Sequence, residues 1–191
     1  MRKRILIGII AIFVLGTLLL MGKYNSLVSL QEGINEKWSQ VESGYQNRLD
    51  LIPNLVSTMM EFAVHETKTL QNVIEARSNA IQNTISAESL KDPQSFHAFN
   101  QAQNQLSSAL FHLMTVVEKY PNLLTNENFL ALQSQLEGAE SRINVERKRF
   151  NESVWDYNGV VRRFPSNVVA SFYGFEENVF FGSNPETAKT P

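Results

Sequence analysis

Apolar positions along the chain form one continuous block and then four long stripes. The block, residues 5–21, is 17 residues without a charge, at the short end of what crosses a bilayer's roughly 30 Å hydrocarbon core as a helix. From Leu27 onward the spacing changes to steps of three and four, the period of a helix with one buried face. Leu27, Leu30, Ile34, Trp38, Val41 and Tyr45 make the first stripe. Ile52, Val56, Met59, Ala63, Glu66, Leu70, Val73, Arg77 and Ala80 make the second. Between them Asp50 is a capping residue, and Pro53 falls in the first turn after it, where its missing N–H breaks no helical bond. This predicts a turn at residues 50–53. One long helix kinked at Pro53 is the alternative.

The periodicity lapses over residues 83–92, and Asp92-Pro93 then gives a new start, Asp as cap and Pro at the first helical position. The third stripe is Phe96, Phe99, Gln103, Leu106, Leu110, Leu113, Val117 and Tyr120, ended by Pro121. Thr125 or Asn126 opens the fourth: Phe129, Leu132, Leu136, Glu140, Ile143, Arg147, Phe150, Val154, Tyr157, Val161 and Phe164, up to Pro165. No period-two segment is long enough for a strand. The expected fold is all-α, an N-terminal transmembrane helix followed by an antiparallel four-helix bundle with coiled-coil-like packing. In chain order this gives a basic N-terminus at 1–4, an anchor at 5–22, the bundle at 24–165, an aromatic segment at 166–182 and a disordered polar tail at 183–191.

Charge adds the placement. Arg2, Lys3 and Arg4 precede the apolar block and Lys23 alone follows it closely, which puts the N-terminus in the cytoplasm and the body on the outer side of the membrane. A cleaved signal peptide is the rival, but Leu18-Leu19-Leu20-Met21-Gly22 offers no small-residue cleavage pair. After the first three basic residues, 14 basic side chains face 19 acidic ones. Such a body is a poor nucleic-acid binder, and no nucleic-acid partner is expected. With no cysteine, disulfides and thiolate metal sites are excluded.

Particular strings then carry a resemblance. Tyr24-Asn25-x-Leu27-Val28, Trp38-Ser39-Gln40-Val41, Arg48-x-Asp50-Leu51-Ile52-Pro53-Asn54-Leu55-Val56, Glu118-x-Tyr120-Pro121-x-Leu123 and Phe150-Asn151 through Tyr157-Asn158 to Phe164-Pro165 resemble the LemA family in order and spacing. Asn144 departs from it, standing where a small apolar residue is usual. The resemblance implies a single-pass membrane protein with a helical bundle, and brings no catalytic residue, substrate or cofactor. It also implies the opposite orientation to the one the charges give.

Four charges lie on seams that should be buried: Glu66, Arg77, Glu140 and Arg147. Cross-helix ion pairing that fixes register is the expected reading, with a polar cavity as the alternative. If the bundle turns at residues 50–53, Glu66 comes level with Glu140, and Arg147 pairs with Glu66 or another acid at the seam edge. A carboxylate-bridged metal site would need Glu-x-x-His on two helices. Glu61 and His65 are spaced by four, and His97 and His112 have no acid three residues earlier, so no metal, cofactor or catalytic residue is assigned. Asn151 and Asn158, seven apart and each following a seam aromatic, suggest interhelical hydrogen bonds. The late aromatics Phe172, Tyr173, Phe175, Phe180 and Phe181 read either as an end cap or as a membrane contact.

Alternating helix directions gather Asp50, Pro53, Asn54, Tyr120, Pro121 and Asn122 at the membrane-distal pole, where polar and aromatic loop residues on a rigid scaffold would meet a partner. The function expected is a non-enzymatic, membrane-anchored interaction or scaffold module, with membrane lipid around residues 5–22 and an unidentified protein at the pole. A ligand-responsive sensor is the alternative, and a metal-dependent enzyme stands third.

Overall fold

The computed structural model describes residues 2–182, so the expected disordered tail lies outside the described residues. Six helices are present: α1 (Arg2–Phe62), α2 (Thr67–Gln82), α3 (Pro93–Val117), α4 (Pro121–Leu124), α5 (Glu127–Arg162) and α6 (Ser166–Tyr173), with no strand among the described residues. α1 leads away from its apolar N-terminal segment, α2 returns, α3 leads away and α5 returns. That is the all-α antiparallel four-helix arrangement, and its first helix, α1, begins with a stretch long and apolar enough to cross a membrane. From Leu6 to Met21 no side chain is buried against the body. Burial begins at Leu27.

The expected turn at residues 50–53 does not occur. α1 is a single helix of 61 residues with Pro53 inside it, and the reversal comes at Ala63 and the short 3-10 turn Val64–Glu66. Pro53 lacks the N–H that would bond to the Leu49 carbonyl four residues earlier. That carbonyl instead accepts from Arg77 Nε at 2.8 Å, reaching across from α2. The freed backbone group is therefore satisfied, and the helix continues. Asp50 caps nothing; its Oδ1 accepts from Gln46 Nε2 at 2.8 Å on the exposed side of α1.

The other helix starts form where their capping residues stand. Asp92 accepts from the amides of Gln94 (3.2 Å) and Ser95 (3.0 Å), with Pro93 at the first turn of α3. Asn126 Oδ1 accepts from the Phe129 amide at 3.0 Å and opens α5.

Two core clusters stack along the bundle. The distal one is aliphatic apart from Phe129, built with Leu49, Ile52, Leu55, Met59, Leu70, Val73, Leu106 and Leu113 on all four long helices. The proximal one is aromatic, centred on Trp38 with Phe96, Phe99, Phe150 and Phe181. Gly44 sits at the close approach of α1 and α5: a Cβ there would stand 3.0 Å from Ile143 Cγ1. With Gly33 close to Ser153 further along, the two helices run antiparallel as the main pair of the fold.

Candidate functional site: polar seam, strap and poles

Continuing the first stripe from Tyr45 by three and then four leads through Arg48 to Ile52, so an arginine is carried into the core. Arg48 is 2% exposed. Its Nη1 donates to Glu140 Oε2 at 2.7 Å and to Ser107 Oγ at 2.9 Å, and its Nη2 donates to Gln103 Oε1 at 2.6 Å. Arg48 also lies 5.2 Å from the centroid of the Tyr45 ring. Three helices thereby meet on one guanidinium, whose fork suits several acceptors at once. Arg48 Nε and Gln103 Nε2 stay buried without a protein partner. Glu140, placed on the seam by its periodicity, thus pairs with Arg48 and not with Arg147.

The expected level of Glu66 with Glu140 fails for the same reason as the turn. Reversal at residues 63–66 moves Glu66 to the far end of the bundle, where Tyr120 Oη donates to its Oε1 at 3.0 Å and Thr69 Oγ1 to its Oε2 at 3.5 Å. The carboxylate beside it raises the Tyr120 phenol above its usual range. Arg77 serves the Leu49 carbonyl, as above. Arg147 makes no ion pair with Glu66; its guanidinium lies 4.3 Å from the centroid of the Phe181 ring, a cation–π contact.

Asn151 and Asn158 reach neither α1 nor α3. Each makes a two-point bond to the backbone of the C-terminal segment. Asn158 Nδ2 donates to the Asn178 carbonyl at 2.9 Å while its Oδ1 accepts from the Asn178 amide at 3.0 Å. Asn151 does the same with Phe181, at 3.1 and 2.8 Å. The spacing has a simple basis. Seven helical residues advance about 10.5 Å, and three extended residues span about 10 Å. Residues 175–181 therefore form a strap that climbs antiparallel to α5. It also donates from the Val179 amide to the Leu90 carbonyl (2.9 Å) and from Asn178 Nδ2 to Gln31 Oε1 (3.3 Å). It ends with the Phe181 ring inside the aromatic core. Gly174, at φ +75°, turns the chain from α6 into the strap, with the Phe175 amide donating to the Ala170 carbonyl at 2.9 Å.

Sequence reasoning missed Arg48 and the strap. The signal for Arg48 was its place on the stripe. The strap has no periodicity to read, and its only sequence trace is the pair of asparagines that hold it.

A LemA family profile matches residues 37–191. The chain belongs to the LemA family. Among characterised relatives, it is similar to the Magnetosome protein MamQ of Magnetospirillum gryphiswaldense, at 26% identity over 94% of this chain and 71% of that protein. It is also similar to Magnetosome proteins MamQ 1 and MamQ 2 of Paramagnetospirillum magneticum, each at 25% identity over 87% of this chain and 67% of the relative. Family membership and the apolar start of α1 describe a membrane-associated helical protein.

The residues expected at the LemA chain's distal pole separate. Tyr120, Pro121 and Asn122 lie there, in the connection from α3 to α5. Asp50, Pro53 and Asn54 lie on α1, roughly 12–18 Å short of its end at the helical rise. Glu66 joins the pole in their place. There Leu123 is fully buried and pins the connection, while Pro121, Asn122 and Leu124 face solvent. His65, His97 and His112 are all exposed. Among the described residues no group of three or more His, Cys, Asp or Glu is placed to hold a metal.

Proposed function

We propose that the protein is a membrane-tethered interaction module. Residues 5–22 cross the bilayer, the body stands on the outer side, and the distal pole is offered to a partner protein. The observation that carries this reading is the continuity of α1. One helix joins the apolar segment to the pole, so Phe62 is held about 60 Å from Gly22. The Glu66–Tyr120 bond and the buried Leu123 fix the pole's backbone, while Pro121, Asn122 and Leu124 remain exposed. Exposed side chains on a fixed scaffold suit recognition with little ordering cost. The identity to its relatives supports the helical, membrane-associated character.

The test uses a photoreactive residue at Asn122 in intact cells, with Lys148 on the side of α5 as comparison. A discrete, saturable adduct from position 122 alone is expected. Identical patterns at both positions, or none at 122 in a membrane-inserted protein, overturn the reading. Because the chain has no cysteine, Asn122→Cys also reports the side. A membrane-impermeant maleimide should label it in intact cells, and protection until lysis reverses the orientation.

A further inference from the structure

Between the end of α5 and the strap, the chain makes a short detour whose helix, α6, adds only Val169 and Ala170 to the hydrophobic core. Residues 164–175 contain no charged side chain. Within them α6 buries Val169 and Ala170 against the body and leaves an opposite face open. Phe164 is 82% exposed, Val168 54%, Phe172 81% and Tyr173 60%. Val168 and Phe172 are spaced by four and share one side of α6, and Phe164 is exposed in the turn just before the helix. An uncharged, largely aromatic surface of this kind is out of place facing water.

Its position gives the occupant. α6 lies beside Thr17, Leu20, Met21 and Tyr24 of α1, and an apolar cleft of about 540 Å³ between the two helices is lined by these residues with Val168, Phe172 and Tyr173. Tyr24 meets the Tyr173 ring at 4.7 Å and the Phe175 ring at 5.7 Å between centroids. Thr17 to Met21 belong to the apolar block itself. If that block spans a bilayer, a helix packed against its last turn sits at the same depth. From Met21 back to Thr17 is about 6 Å along the axis, within the roughly 5–10 Å that interfacial helices bury their apolar face. Lys23 just after the apolar block and Arg163 just before the uncharged detour are both exposed, and the Tyr24–Tyr173–Phe175 cluster lies at the end of the block, the level where aromatic belts form.

We infer that α6, with Phe164, is a second membrane contact: a short helix in the headgroup–acyl boundary, its exposed Val168 and Phe172 and the Phe164 ring before it covered by lipid chains. This rests on the reading of residues 5–22 as the span. The helix holds the body against the membrane at a point away from the span's axis. A single span leaves the body free to swivel and tilt, and a second contact fixes both.

The absence of native cysteine allows single labels on the full chain in phosphatidylcholine vesicles. Environment-sensitive fluorophores are placed at Phe13, Trp155, Val168 and Phe172, with lipids carrying a nitroxide near the headgroup or near the chain end. The expected result is strong quenching at 13 by the deep quencher and at 168 and 172 by the shallow one, several-fold above that at 155. Quenching at 13 with 168 and 172 no different from 155 overturns the inference and leaves the span intact. No quenching at 13 removes the span and the inference together. Quenching at 13, with emission at 172 that shifts to the blue only as protein density rises, assigns the face to a second copy and overturns the lipid contact. A Val168→Glu/Phe172→Glu pair should abolish shallow quenching of a label at Phe164 without loss of helix content, and unchanged quenching there also counts against the inference.

Discussion

Arg48 and Glu140 are unequal partners, and the inequality is testable. The Arg48 side chain is 3% exposed and that of Glu140 45%. Removing the carboxylate strands a guanidinium among neutral acceptors, whereas removing the arginine leaves a carboxylate that water already reaches. Loss of one partner from a fully buried pair costs about 3–5 kcal/mol, and half-exposure of Glu140 reduces that. We expect Glu140→Ala to cost about 2–3 kcal/mol and Arg48→Met about 1–2, mainly from Gln103 left unpaired. The double variant should lose less than the sum, measured by denaturant titration in a double-mutant cycle. Additive losses would show that the two side chains do not act as a pair. Tyr157 gives a second prediction. Its ring is fully buried and its hydroxyl has no partner. Burial, helped by the Glu176 charge, pushes the phenol up to about 12 from its ordinary 10.0. A pKa raised on folding means that the contribution is complete below about pH 10 and is lost as pH climbs toward 12. Tyr157→Phe should therefore leave the Tm at pH 7 unchanged or raised, since an unpaired buried hydroxyl is removed. It should also flatten the alkaline fall of the Tm between pH 10 and 12.

At the scale of elements, the sequence was most legible where a cap and a stripe agree. Asp92-Pro93 and Asn126 open helices as their chemistry demands, and every stripe residue from Leu27 to Tyr45 except the partly buried Leu30 is in the core. Pro53 misleads because the same local signals fit a helix start and an interrupted helix. The side chain that decides between them, Arg77, is 24 residues away in sequence. The true break at Ala63 carries neither Gly nor Pro, so only tertiary packing marks it. This makes a sharp prediction. Arg77→Met leaves the Leu49 carbonyl without its donor and should cost about 1–3 kcal/mol. Pro53→Ala supplies the missing helical N–H to the same carbonyl. In that background Arg77→Met should cost little, and Pro53→Ala alone should extend amide-exchange protection through residue 53. An equal cost of Arg77→Met in both backgrounds would mean that the arginine acts elsewhere. The strap was illegible for a different reason. Its bonds run through backbone atoms, and backbone recognition leaves almost no mark on the residues recognised.

For the whole molecule, moving the reversal from Pro53 to Ala63 changes both reach and alignment. With a turn at Pro53 the first bundle helix would be far shorter than α5, and α5 would overshoot it toward the membrane. With α1 running to Phe62, its bundle portion and the 36 residues of α5 are nearly matched. α6 then arrives beside Thr17–Met21 because the two helices are equal. The same shift separates Glu66 from Glu140 by about 20 Å along the bundle, since Glu140 meets Arg48 some 14 residues before the end of α1. Spin labels at Lys23 and Glu61, both exposed, measure this directly by pulsed dipolar spectroscopy on the full chain in nanodiscs. An unbroken helix places their backbones about 57 Å apart, and a chain that doubled back at Pro53 would bring them to about 35 Å. We expect a single distribution near the longer value, a few ångströms shorter if Pro53 bends the axis. Arg77→Met should broaden that distribution if the arginine stiffens the proline step. A population near 35 Å would mean that the span and the pole are not joined by one rod.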